Sequence, residues 1–161
     1  MGILTDDMKR VVREQRLGFV ATVCPDGTPN LSPKGTTAVW DDDHLAFAHI
    51  CSPGTIANLR RNPAVEINVV DPVLRKGYRF KGTATILTEG PVYAAVRAAY
   101  RGGPHPLQEA IDRRIEAIVL VRVQRALPLI SPVYETGATE AEVAKGWQAY
   151  WDSLRRTPTP R

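Results

Sequence analysis

The chain has 161 residues, 43% of them hydrophobic and 24% charged, which is one domain's worth of sequence with enough apolar content to bury a core unaided. No apolar run approaches the ~18 residues of a membrane-spanning helix, and Cys24 and Cys51 offer neither a disulfide framework nor a zinc cluster. The formal charge of +4 invites a nucleic-acid reading, but six basic against two acidic residues lie in 51–81 and three basic residues lie in 155–161, so the rest of the chain is close to neutral.

In chain order, the first helix is predicted over Thr5–Gln15, with Thr5 as N-cap and Asp6 and Asp7 at the positive helix end. The period then changes to two: Leu17, Phe19, Ala21 and Val23 alternate with Gly18, Val20 and Thr22, as in a strand. Pro25-Asp26-Gly27-Thr28 has hairpin-turn chemistry, and a second strand is predicted over Asn30–Trp40. After the polar turn Asp41-Asp42-Asp43 comes a third strand, Leu45–His49. Ser52 is placed to cap a short helix that has Pro53 at its first position and is closed by Asn62-Pro63. Strands are predicted over Val65–Val70 and Tyr78–Leu87, joined by a basic loop, Arg75-Lys76-Gly77. Two helices follow, Pro91–Tyr100 and one carrying Leu107, Ile111 and Ile115, broken by Arg101-Gly102-Gly103-Pro104. Ile118–Val123 reads as a central strand and Leu129–Tyr134 as a last one. Thr139-Glu140-Ala141-Glu142 fits a capping box for a final helix whose Val143, Trp147, Tyr150, Trp151 and Leu154 share one side, to be covered by the chain's own core or by a partner. Residues 1–154 are thus expected to form a single α+β domain, a small barrel with peripheral helices, with 155–161 as a flexible tail.

The chemistry is restricted. His44 and His49, five apart, point to opposite faces of a strand, and His105 is remote, so no metal site is expected. No G-x-S-x-G elbow supports hydrolysis, and neither phosphate-loop nor dinucleotide glycine motifs occur. An anion site has more support. The start of the Ser52 helix offers free N–H groups, the hydroxyls of Ser52 and Thr55 and a permissive Gly54. Arg79 and Lys81 share one strand face, as do Ser32 and Lys34 on another. A polymer partner is not expected, because the three Trp lie outside the basic stretch and cannot provide a stacking platform there. The polar N-terminus has no apolar signal core, and two reduced, buried thiols fit a cytoplasmic protein.

P-N-L-S-P-K-G, D-D-D-H-L-A-F-A-H, S-P-G-T-I-A-N-L-R-R-N-P-A-V-E-I-N-V-V and Y-R-F-K-G-T-A, in that order over about residues 15–90, resemble the pyridoxamine 5′-phosphate oxidase-like family of FMN-binding split barrels. The resemblance implies a six-stranded split β-barrel, a homodimer with FMN at the interface, and an oxidoreductase acting on a small molecule. It implies that Ser32, Pro33 and Lys34 line the flavin ring, that Ala48 and His49 lie near the ring and ribityl chain, that Ser52 and Thr55 hold the phosphate, and that Arg79 and Lys81 add polar contacts. Thr55 stands where many members carry Lys, and the family's C-terminal Arg-x-His and R-L-A-P signature is absent, so pyridoxamine phosphate is not the expected substrate. A non-catalytic FMN carrier or electron-transfer protein, or the same fold with a deazaflavin or heme, is the alternative. No catalytic acid or base is assigned; His49 is the one residue considered.

Overall fold

The computed structural model describes residues 2–101 and 108–156. The elements are α1 (Asp6–Gln15), β1 (Gly18–Val23), β2 (Pro29–Lys34), β3 (Ala38–Val39), β4 (His44–His49), α2 (Pro53–Arg61), β5 (Ala64–Asp71), β6 (Lys76–Leu87), α3 (Pro91–Arg101), α4 (Gln108–Asp112), β7 (Ala117–Ile130) and α5 (Glu140–Arg156), with a 3₁₀ turn at Pro132–Thr136. The seven strands form one antiparallel sheet in the order β2-β1-β5-β6-β7-β4-β3.

That order forces the sheet to curl. Laid flat, seven strands would span about 29 Å at ~4.8 Å per gap. Yet the edge strands β2 and β3 are joined by Gly35-Thr36-Thr37 alone, and four Cα steps reach at most about 15 Å. The two edges must therefore approach one another, which makes the sheet a split barrel. The turn is fixed by Thr37, whose backbone N–H (3.3 Å) and hydroxyl (2.8 Å) both donate to the Lys34 carbonyl. Gly18 makes room for it, since a Cβ there would lie 2.4 Å from Thr37 Oγ1.

The expected second strand, Asn30–Trp40, is thus two strands pairing with different partners, and the sheet has seven strands where the resemblance implies six. The expected last strand is also redrawn: Leu129 and Ile130 continue β7, while Pro132–Thr136 turns as a 3₁₀ helix. The basic loop is tighter than its sequence implies, with Arg75 at φ 56 and Lys76 and Gly77 already in β6. Thr5 caps α1 as predicted, and Thr139 and Glu142 exchange capping-box bonds at α5. Leu107, His105 and residues 157–161 of the expected tail lie outside the described residues.

The barrel interior is filled by Val20, Leu45, Phe47, Ile67, Phe80 and Val121 among others, with α1 and α2 packed against the same core. A second cluster, around Ala46, Ala48, Ile118, Val96 and Tyr100, lies where α3 covers the outer side of β4 and β7. Asp112 of α4 ties this layer by accepting from Arg97 Nε (3.2 Å) and Arg101 Nε (2.9 Å).

Candidate functional site

Register sorts the predicted residues onto two faces of the barrel wall. Ser32 lies opposite Val20, Val20 opposite Ile67, and Ile67 opposite Phe80, so Ser32 belongs to the inward-facing row; Lys34, opposite Gly18, faces the same way. The next row runs Pro33–Phe19–Asn68–Arg79, and another runs Leu31–Ala21–Glu66–Lys81. Directly opposed residues share a face, so Pro33, Arg79 and Lys81 face outward while Ser32 and Lys34 face inward. One chain therefore does not bring all nine predicted residues to a single point.

Lys34 is the most unusual member of the inner set. Its side chain is buried, at 6% exposure. Its ammonium bonds the Ser32 hydroxyl and lies 5.9 Å from the centre of the Phe47 ring. Among the described residues it has no acidic partner. Burial holds its amine below the ordinary lysine range, because a dry site disfavours the charged form. Towards the other end of β2 a polar cluster is centred on Thr22: the Asn30 amide donates to Thr22 Oγ1 (3.1 Å) and Thr55 Oγ1 (3.4 Å), and Asn58 donates to the same Thr22 hydroxyl (3.1 Å).

The outer set is already partly neutralised. Glu66 Oε1 takes Arg79 at 2.6 Å and Glu66 Oε2 takes Lys81 at 3.3 Å, leaving one net positive charge on this patch of three. Asn68, between Phe19 and Arg79 in its row, has a buried Oδ1 without a hydrogen-bond partner among the described residues. Beside these rows an open cleft of about 460 Å³ is lined by Ala21, Pro29, Glu66, Lys81, Gly82 and Gln124, among others.

At the end of β4, Ala48 and His49 diverge as alternation requires. Ala48 is buried in the α3 layer, and its N–H donates to Thr36 Oγ1 (2.9 Å). His49 is buried on the barrel side, with Nδ1 3.2 Å from Ser52 Oγ and Nε2 3.3 Å from Glu116 Oε2. This corrects the role expected of Ser52: it occupies the N-cap position of α2 but makes no side-chain cap bond, because its hydroxyl is engaged by His49. The thiols also differ from expectation: both are free, but Cys24 is only half-buried and Cys51 is exposed. No metal-holding group of His, Cys, Asp or Glu occurs among the described residues, and no described helix is long and apolar enough to cross a membrane.

Sequence reasoning missed Glu66, Asn68 and Glu116. The signal for the first two was present, since Glu66-x-Asn68 has the same alternation as Arg79-x-Lys81 one hairpin later. Glu116 gave none, because only the pairing of β4 with β7 brings it to His49.

A seven-stranded antiparallel sheet curled until its edges approach one another is the architecture of a split barrel. Residues 4–125 match the family described as pyridoxamine 5′-phosphate oxidase, and the chain belongs to that family. Among solved structures it is similar to HupZ of Group A Streptococcus, with 34% identity over 79% of this chain and 94% of that one and a TM-score of 0.68. It is similar to an F420 reductase, with 27% identity over 76% of this chain and 98% of that one and a TM-score of 0.58. An FMN-binding protein from Syntrophomonas wolfei shares the fold, with a TM-score of 0.66 at 15% identity over 78% of this chain and 85% of that one. No curated protein matches significantly.

Proposed function

We propose that this chain is a cytoplasmic, homodimeric FMN-binding oxidoreductase acting on a small molecule other than pyridoxamine phosphate. The observation that carries the reading is Lys34, a buried ammonium with no acidic partner among the described residues, beside Ser32 at the seam of the barrel. A buried charge without a counter-ion is costly, and a site that keeps one is suited to a ligand that supplies the opposite charge or an acceptor. The unpartnered Asn68 Oδ1 fits a ligand with hydroxyl or N–H donors, and the net positive charge of Arg79 and Lys81 over Glu66 fits a phosphate.

In this reading Ser32, Pro33 and Lys34 hold the ring. His49 borders it, Ser52 receives the phosphate, and Arg79 and Lys81 add cationic contacts from the outer face, while Ala48 and Thr55, each 2% exposed, contribute packing rather than direct contacts. Because Ser32 and Lys34 face away from Arg79 and Lys81, a second copy is needed to bring one inner and one outer set together, which favours sites at a dimer interface. Bound FMN would supply the redox chemistry of its ring. Lys34 would place a positive charge beside that ring, which favours its reduced, more electron-rich state. The barrel wall shields one side from water.

Purified protein is expected to be yellow, to show an oxidised-flavin spectrum and to release FMN on denaturation. Colourless protein whose addition leaves FMN fluorescence unquenched would sink the reading. The likeness to an F420 reductase supports a second reading, the same site holding a deazaflavin. Its shorter-wavelength absorption separates the two, and anaerobic reduction by nicotinamide cofactors followed by a substrate screen separates an enzyme from an electron carrier.

A further inference from the structure

Three groups from three elements meet at the end of β4. His49 Nδ1 faces Ser52 Oγ at the start of α2 (3.2 Å), and His49 Nε2 faces Glu116 Oε2 just before β7 (3.3 Å). The Glu116 N–H also donates to the His49 carbonyl at 3.0 Å, which holds the two backbones side by side. Arg60 of α2 borders the same cleft of about 450 Å³ as His49 and Glu116.

Proton counting gives the arrangement a consequence. With the ring proton on Nε2, the nitrogen that lies 3.3 Å from the Glu116 carboxylate, a neutral His49 has only a lone pair at Nδ1 and accepts the single proton of Ser52. Ser52 then presents only lone pairs to its surroundings, which repel an anion. With a second proton on the ring, Nδ1–H donates to Ser52 Oγ and the serine O–H is freed to donate outward.

We propose that His49, backed by Glu116, is a positioning residue for phosphate selectivity: taking up one proton from water converts Ser52 from acceptor to donor, so the phosphorylated flavin binds together with a proton. The inference rests on the FMN reading above. Histidine is suited to this role because its charge changes near neutral pH.

The test is quenching of FMN and of riboflavin fluorescence by the full-length protein between pH 8.5 and 6.5, with wild type, Ser52→Ala and Glu116→Gln. Glu116 is largely exposed, so its variant is expected to fold. FMN affinity should rise as pH falls, by no more than tenfold per pH unit for one linked proton, while riboflavin affinity stays level. Ser52→Ala should abolish that rise and leave only the opposing slope of the phosphate's own protonation near pH 6. Glu116→Gln lets a neutral ring carry its proton on Nδ1 instead, so it should flatten the FMN rise without changing riboflavin binding, a split that a purely structural role would not produce. Equal pH slopes for the two flavins, or a wild-type slope retained in Ser52→Ala, would overturn the proton link while leaving the cofactor reading intact. Quenching of neither flavin at any pH would overturn both.

Discussion

Two cations carry different parts of the proposed site, and each makes its own prediction. Lys34 is buried, and its amine is held below the ordinary value of 10.5 by desolvation. Between its lowered folded value and 10.5 the unfolded chain binds more protons than the folded one, so stability rises with pH across that window. Below the window the cost of the buried charge is fully present. Lys34→Met removes that cost, and the apo protein is expected to melt about 2–4 °C higher, corresponding to ~1 kcal/mol in a domain of this size. The same variant should bind FMN at least tenfold more weakly in a fluorescence titration; unchanged affinity would remove Lys34 from the site. Lys81 is half-exposed and shares Glu66 with Arg79, so its contribution is screened and partly redundant. Lys81→Ala is expected to weaken FMN binding about three- to tenfold and riboflavin binding less. Equal losses would contradict a phosphate contact.

Elements were legible where local chemistry decides them and obscure where pairing does. Thr5, the Pro53 helix start and the Thr139–Glu142 box marked their helices because capping is a contact within a few residues. The break inside Asn30–Trp40 was not legible, because it depends on Thr37 bonding back to the Lys34 carbonyl and on space left by Gly18 from another strand. The partial neutralisation of Arg79 and Lys81 was hidden for the same reason: it follows from the β5–β6 register, not from the basic run itself. The α3–α4 layer adds a prediction at this scale. Burial works against the Asp112 carboxylate, but its bonds to Arg97 and Arg101 prevail and hold it below the ordinary aspartate range. A depressed folded value means that its stabilisation is present above the unfolded value and is lost as pH falls through the folded one. Asp112→Asn is therefore expected to lower amide-exchange protection in α3 at pH 7, and the difference from wild type should shrink on acidification below pH 4. A difference that persists undiminished in acid would show that packing, not charge, secures this layer.

At the scale of the whole molecule, the order of the strands is the fact that the sequence pattern could not supply, and it determines which surface is left over. Alternation along β1 and β2 was visible, but only closure of the barrel decides that Val20, Thr22, Ser32 and Lys34 turn inward and their neighbours turn out. The outward row leaves Phe19, Val23 and Leu31 exposed, flanked by Leu17, Pro29 and Pro33; Leu31 is 64% exposed. A contiguous apolar face of this kind on one wall of a small barrel is what an obligate interface requires. It lies in the same rows as Asn68, Glu66, Arg79 and Lys81, so burying it against a second copy would close the outer half of the proposed cofactor site as well. The chain is accordingly expected to sediment at twice its own mass at micromolar concentration. Leu31→Glu places a charge at the most exposed point of this face, where a monomer tolerates it and a buried interface does not. That variant should keep the wild-type circular dichroism, sediment as a monomer and lose FMN quenching together with dimerisation. If it remains a dimer with bound FMN, the interface lies elsewhere on the barrel; if it becomes a monomer that still binds FMN, one chain alone completes the site.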